Sequence, residues 1–528
     1  MSVSTSGGQA ALGGTVAPDD RGSPSLSSDG RYIVFVSAAR NLVSTDTNGY
    51  PDLFVRDRLA GTTTLLLRGF VDGRSLEPAM TPDGRMVAFS SPGTNLPGWR
   101  DGYRGGVFVH DRLAGTDRVS ISTAGTEASG ASSAASIDGS GRYVVFASAA
   151  ANLVANDTNN LGDIFLRDRV TGVTTRISLA AGGAQLNNGS SNPAISGNGL
   201  VVAFRSEATN VVQGDTNGLG DIFVRDLVSG AVTRVSVSTS GGQADGLSYF
   251  PAINHDGRYI AFVSTATNLV PNDSNGSYDV FVHDRQTGET SRVSVADDGA
   301  QANSNSLDPA LSGDGRFVVF SSLASNLVAG SFPGTIGIFV RDRQTGRTSR
   351  TDAATDGTRG SGSSGQPAIS ADGRYVAFGS NVALVPGDTN STWDVFTHDR
   401  QTGATTRVSV SSGGVQGDLS SSFPSLSADG RYVGFDSEAT NLVADDTNAR
   451  IDVFVHDRTT GDTRRMSAAT DSPGAVQPVQ TQATGGDSRF AQLSASGRVI
   501  AFVSEAVGLV RSDTNGAMDI FVNDRGPW

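Results

Sequence analysis

The chain of 528 residues contains no cysteine. Disulfide staples and thiolate-ligated zinc are therefore excluded, although the compartment stays open, because exported bacterial proteins can also lack cysteine. No apolar run approaches the roughly 18 residues needed to cross a bilayer as a helix. No basic block occurs, and the formal net charge is 40 − 53 = −13. Nucleic acid and anionic membrane surfaces are thus poor partners, whereas cations are natural ones. Only five histidines are present, with no metalloprotease spacing, and neither a G-x-S-x-G elbow nor a P-loop is found. A sustained 3.6-residue period is also missing, so helices are expected to be nearly absent. No leader peptide is seen, yet the chain opens inside a repeat, as expected if a leader once lay upstream.

What the chain does have is a unit repeated nine times: S-x-D-G-R-Y-V-A-F-x-S, a polar loop, D-V-F-V-x-D-R-x-T-G, then T-x-R-V-S-V. Its Arg position runs through Arg31, Arg85, Arg142, Leu200, Arg258, Arg316, Arg374, Arg431 and Arg498, at intervals of 54, 57, 58, 58, 58, 58, 57 and 67 residues. Such a period marks a repeat architecture and lets the chain act as its own alignment. The hydrophobic fraction is 37%, and the 66 glycines bring it to nearly half, an ordinary value for a globular chain. Length alone would suggest three or four domains, but one array of repeats overrides that count.

Each unit reads as four short strands, exemplified by Pro251–Asn254, Tyr259–Phe262, Val280–His283 and Ser291–Val295. Alternation, β-branched and aromatic content and Gly punctuation all favour strands. Four antiparallel strands per repeat form a β-propeller blade, an arrangement that leaves only short edges. The chain stops after a third strand, Asp519–Val522, and Ser2 to Ala10 are identical to Ser236 to Ala244 at the end of a fourth strand. The reading is therefore an all-β single closed β-propeller over residues 1–528, with nine four-stranded blades starting near 22, 76, 133, 191, 249, 307, 365, 422 and 489. Residues 1–10 are expected to supply the outer strand of the last blade, in place of the caps an open solenoid would need. Eight regular blades plus a displaced repeat is the alternative.

The S-x-D-G-R-Y-V-A-F and D-I/V-F-V-x-D-R-x-T-G segments resemble the repeats of TolB-like propellers, bacterial relatives of WD-repeat blades. With N-L-V-x-x-D-T-N-G between the strands, the longer form is similar to repeats of secreted and cell-surface bacterial proteins. The resemblance covers almost the whole chain. It implies a propeller that binds partners rather than one with a catalytic signature, in a secreted, periplasmic or cell-surface setting.

Two phenylalanines recur in every unit, Phe262 and Phe281 for instance, and are expected to form blade-to-blade core. The Asp opening each D-R-x-T-G turn, such as Asp284, is expected to bond nearby backbone N–H groups. His110, His283, His398 and His456 precede this Asp where other blades carry Arg or Asn, an interchange that suggests an exposed strand position rather than metal ligation.

Seven blades carry D-[TS]-N-x-x-x-D between the second and third strands: Asp46/Asn48/Asp52, Asp157/Asn159/Asp163, Asp215/Asn217/Asp221, Asp273/Asn275/Asp279, Asp388/Asn390/Asp394, Asp446/Asn448/Asp452 and Asp513/Asn515/Asp519. Oxygen ligands at positions 1, 3 and 7 of a tight loop suit a hard cation, and Ca²⁺ is the cofactor they suggest, although position 5 is never acidic. The other reading is a turn in which Asp and Asn bond their own loop. Blades 2 and 6 lose the three positions together, as expected for one site or one hydrogen-bonded loop.

The loops joining second to third strands and the blade-to-blade connections should share one face. That face gathers Tyr50, Trp99, Arg100, Tyr103, Tyr249, Tyr278, Phe332 and Trp393, making it the candidate ligand-binding surface, since loops carry function on a repeated scaffold. The function expected is a non-catalytic, exported binding scaffold for a protein or glycan, monomeric and possible to stiffen with calcium. No catalytic residue is assigned. A propeller-type polysaccharide lyase or hydrolase, centred on Arg100, Asp101, Tyr103 and Arg104, is one alternative, and a structural module of a larger surface protein is another.

Overall fold

The computed structural model describes Ser4 and residues 24–37, 39, 41–44, 46, 52–66, 76–91, 105–470, 480–482, 486–506, 509 and 518–525. These residues form strands, turns and loops, with no helix among them. The repeats are nine blades of a β-propeller. Eight are four-stranded antiparallel meanders, and the ninth shows Ser488–Leu493, Val499–Ser504 and Asp519–Asp524 among the described residues. The chain groups into two compact units, one holding blades 1, 7, 8 and 9, the other blades 3 to 6 and most of blade 2. Except for Ser4, the strand expected from residues 1–10 lies outside the described residues. The Ser4 carbonyl accepts from Arg56 at 3.4 Å, as the matching Ser122 carbonyl accepts from Arg167 at 3.3 Å.

Blade 5 shows how the sequence builds the unit. Its strands are Ser248–Ile253, Tyr259–Ser264, Asp279–Asp284 and Glu289–Arg292. The first two meet at a D-G turn where Gly257 has φ +77°, and a Cβ there would sit 2.6 Å from Val201 of blade 4. Glycine is required twice over, by backbone conformation and by close approach. Phe262 pairs with Phe281 across the ladder, their rings 5.8 Å apart and 24° from parallel. Both pack with Val201, Ala203, Ile222 and Val224 of blade 4. The expected blade-to-blade core is thus present, each buried ring contributing roughly 2–3 kcal/mol.

The edge strands differ from the sequence expectation. The fourth strand ends at Arg292, because the N–H groups of Val293 and Ser294 both turn to the Val280 carbonyl (2.7 and 3.5 Å) and break the ladder. The first strand starts at Ser248 and carries a bulge between Tyr249 and Ala252.

Adjacent blades are tied by the fourth strand. The Thr290 hydroxyl donates to the Val237 carbonyl of blade 4 at 2.5 Å. Thr348 makes the same bond to Val295, and Thr463 to Val410. The hydroxyl's one hydrogen is used there, so it accepts from the third-strand residue opposite: His283 Nδ1 at 2.8 Å in blade 5, Arg167 Nη1 at 2.8 Å in blade 3. The histidines are therefore buried, not exposed as expected, and their Nδ1 carries the proton. Histidine and arginine interchange because both can donate to the same threonine. Burial drives His283, His398 and His456 down to about 4.

The turn Asp residues do bond the backbone, Asp284 accepting from Gln286 N at 2.9 Å. Seven of them also take a bidentate pair from the arginine after the turn glycine, Arg258 holding Asp284 at 2.9 and 2.7 Å. The Arg142 guanidinium pulls Asp168 down to about 2 against the cost of burial. Blade 4 has Leu200 in place of this arginine, and its Asp226 is instead paired by Arg285 of blade 5 at 3.1 Å.

Candidate functional site

The D-x-N loops are organised around an arginine that sequence reasoning did not single out. In blade 3, Asp157 and Asp163 are both buried, and Arg176 Nη1 from the fourth strand lies 3.2 Å from each. The arrangement recurs with Arg234 on Asp215 and Asp221 (3.3 and 3.2 Å), Arg292 on Asp273 and Asp279 (2.9 and 3.5 Å), and Arg407 on Asp388 and Asp394 (3.4 and 3.5 Å). Arg465 sits more loosely on Asp446 and Asp452, at 3.5 and 3.9 Å. In these five loops, then, a guanidinium fills the cationic position between the acidic ones.

The remaining polar atoms are also engaged. Ser178, Ser236 and Ser294, two residues past the arginine, each donate to the third-strand Asp at 2.5 Å. Asn159, Asn217 and Asn275 donate across to the carbonyls of Leu186, Ala244 and Ala302. Their side-chain oxygens accept the N–H two residues on, at 3.1, 2.9 and 2.9 Å. Asn390 donates to Gly417 O, and Asn448 accepts from Arg450 N. The asparagine oxygen thus serves its own turn. Gln185, Gln243 and Gln416 cap the first Asp at 2.7, 2.6 and 2.9 Å. Burial pushes Asp221 and Asp279 up to about 6, against the serine and arginine bonds that favour the charged form. Among the described residues, no three His, Asp or Glu side chains converge as a metal ion would need.

Two blades differ at this point. In blade 1 Asp46 and Asp52 are buried, but the matching fourth-strand residue is Leu65. Asp519 opens the third strand of blade 9 and is buried, while Asn48, Asp513 and Asn515 lie outside the described residues.

A second constellation lies on the first strands. Neighbouring first strands rest against one another within each unit, which puts them on the inner side of the blade fan. At the bulge of seven of them a non-glycine residue takes a left-handed backbone: Ala134, Asn192, Phe250, Asp308, Gln366, Phe423 and Phe490, with φ of 54°, 52°, 51°, 54°, 56°, 53° and 61°. The residue that follows is Pro in five of these blades and Ala in two, whereas the bulge residue itself varies among Ala, Asn, Asp, Gln and Phe. Left-handed backbone is tolerated best by Gly, Asn and Asp and poorly by bulky side chains. Phe250 nevertheless stands there 61% exposed and Phe423 41% exposed. Neither ring repays its strain by burial, and strain of this kind gathers where a surface is used.

The expected binding residues divide around this feature. Tyr249 and Tyr278 come together, rings 6.4 Å apart, and Phe250 joins them 6.0 Å from Tyr249. Arg205 of blade 4 lies 4.8 Å over the Tyr249 ring, held by Glu207 at 2.9 Å and the Ser248 carbonyl at 3.2 Å. Phe332 is exposed in the blade 6 loop, away from any ring contact among the described residues. Trp393 precedes the third strand of blade 7, half-buried over Gly379, where a Cβ would meet its ring at 3.3 Å. In blades 8 and 9, Phe423 and Phe490 pack 5.2 Å apart. The Gln366 side chain accepts Phe423 N–H at 2.9 Å, and the buried Asp436 accepts Phe490 N–H at 2.7 Å. Burial pushes Asp436 up to about 7. Tyr50, Trp99, Arg100 and Tyr103 fall outside the described residues, as do Asp101 and Arg104 of the lyase alternative.

No family model matches the chain, nor does the sequence of any curated protein. Among solved structures it is similar to an oligogalacturonate lyase in complex with manganese, at 14% identity over 72% of this chain and 86% of that one, with a TM-score of 0.34. It is also similar to TolB from Acinetobacter baumannii, at 14% identity over 72% and 80% of the chains, TM-score 0.30. A third is the propeller domain of the Trilobed protease from Pyrococcus furiosus, at 11% identity over 74% and 97%, TM-score 0.37. These proteins differ in function from one another, and likeness at this level assigns none of their functions to this chain.

Proposed function

We propose that the protein is a non-catalytic binding scaffold, exported to the periplasm or cell surface, that engages a protein or glycan with side chains on the inner first strands and adjoining loops. The observation that carries this reading is the exposed phenylalanine held in left-handed backbone at Phe250 and Phe423. Among the described residues each third-strand histidine bonds a structural threonine, and the paired loop carboxylates of blades 3, 4, 5, 7 and 8 meet arginines, which leaves the first strands and loops as the variable surface. Incubation with a panel of neutral and acidic polysaccharides, following both retention and the release of new sugar ends, tests the reading. Retention without cleavage is expected. Cleavage lost on changing Arg100 or Tyr103 would establish the lyase or hydrolase alternative instead.

Calcium enters the proposal on the D-x-N-x-x-x-D pattern, which the blade 1 loop carries as Asp46, Asn48 and Asp52. The expected result is a melting midpoint raised by millimolar calcium in the parent and not in Asp46→Asn; an unchanged parent midpoint removes calcium from the account.

A further inference from the structure

We infer that the cluster of Tyr249, Phe250 and Tyr278 is a sugar-ring platform that takes a neutral glycan chain, an assignment that rests on the binding reading above. Three observations lead there. First, the rings meet at 36° and 57° rather than stacking face to face, and Phe250 is 61% exposed. An aromatic ring open to water on a strained backbone offers an apolar face to the C–H side of a pyranose.

Second, the same bulge position in the flanking blades presents short planar polar groups. Asn192 of blade 4 and Asp308 of blade 6 are both exposed, and each keeps hydrogen-bonding capacity beyond its single contact, Ser191 on Asn192 and Ser321 on Asp308. Apolar platform flanked by amide and carboxylate is the chemistry that reads vicinal hydroxyls. Third, the edge is blunted against a peptide strand. Phe250 and Pro251 fall outside the ladder, and Pro193, Pro251 and Pro309 follow the bulge residue in all three blades. A proline offers no N–H, so the free edge of the first strand cannot add a further strand by main-chain pairing. Recognition there must go through side chains.

The charge of the ligand follows from the arginine. Arg205 is already paired with Glu207 and spent on positioning the Tyr249 ring, Asp308 adds a negative charge on the neighbouring first strand, and the chain carries −13 overall. A polyanionic glycan would be repelled, so the site fits a neutral one.

Affinity electrophoresis of the full chain in gels containing glucomannan, xyloglucan or dextran, each compared with polygalacturonate, tests the assignment. At least one neutral polysaccharide should retard the protein, with retardation unchanged in 0.5 M NaCl. Phe250→Ala and Tyr249→Ala should each weaken it about tenfold, the loss expected for one stacking ring, with the melting midpoint of Phe250→Ala at the parent value. Val228→Ala, exposed on the hairpin at the far end of blade 4, should leave it unchanged. No retardation by any neutral polysaccharide, retardation by polygalacturonate alone, or parent-level retardation of Phe250→Ala would each overturn the glycan assignment while leaving a protein ligand open to the scaffold. New sugar ends released in the same gels would instead overturn the non-catalytic reading itself.

Discussion

Blades 5 and 6 place an arginine at the same point of the fourth strand in different surroundings. In blade 5, Arg292 is held by Asp273 and Asp279. In blade 6 the third-strand Asp is replaced by Gly337, and Arg350 lies 5.1 Å over the Phe339 ring, in space a Cβ on Gly337 would invade to 2.5 Å. Blade 2 repeats the second solution with Gly106, and Arg118 takes Glu127 at 3.2 Å as its carboxylate. Where D-x-N-x-x-x-D is lost, the arginine is retained and its surroundings change. A buried charge must be compensated, yet carboxylates and aromatic faces can both contribute to doing so.

Four substitutions test that comparison. Asp279→Ala takes from blade 5 the carboxylate that Arg292, Asn275 and Ser294 all address, and should cost about 3–5 kcal/mol in denaturant unfolding; a loss under 1 kcal/mol would mean that Asp273, 2.9 Å from Arg292, compensates the guanidinium by itself. Thr290→Val leaves the Val237 carbonyl and the His283 Nδ1–H without their shared partner, and should cost about 2–3 kcal/mol by the same measurement.

The third substitution concerns pH. His283 sits at about 4 in the fold against an ordinary 6.5, so on acidification the unfolded chain takes up the proton first. The stability from its neutral ring is complete above pH 6.5 and drains away towards pH 4. Asp279 works in the opposite sense: raised to about 6 from 3.8, it contributes most below 3.8 and loses that contribution as pH rises through 6. His283→Arg, the residue that blade 3 uses, cancels the first effect and retains the second. The parent should therefore lose about 2 kcal/mol more than this variant between pH 7 and pH 5. Smallest of all, Gly337→Ala puts a Cβ 2.5 Å from the flexible end of Arg350 and 2.8 Å from the edge of the Phe339 ring, and should cost about 1 kcal/mol; a cost matching Asp279→Ala would show the stacked arrangement to be as demanding as the ion pair.

Much of the blade was legible in the chain. The two phenylalanines, the turn glycine before the second strand and the turn Asp stand out because they never vary, and each acts within a few residues or across one ladder. The arginine of T-x-R was printed in the same repeat, but its role was not evident, since the Asp it meets lies on another strand 13 residues away in sequence, as with Arg176 and Asp163. One signal was available: all 40 basic residues are arginine, and the chain has no lysine. A fold that asks for planar, multiply bonded cations at every blade excludes the point charge of lysine. The burial of the histidines was hidden for a related reason. Arg–His interchange looks like surface drift until the shared threonine is seen. At the candidate platform, Tyr249 and Tyr278 were marked as binding residues, but Phe250 was not, because a residue before proline is ordinarily extended.

The sequence by itself determined the repeat, the strand content and the residues common to every blade, because period, turn chemistry and apolar alternation are local properties of the chain. Tertiary structure alone decided which charge meets which, that a guanidinium occupies the acidic loops, and that the bulge turns Phe250 and Phe423 outward. Those outcomes depend on the register between neighbouring strands, such as Asp163 and Arg176 at 13 residues' separation, and a slip of one residue would send every one of these side chains to the other face.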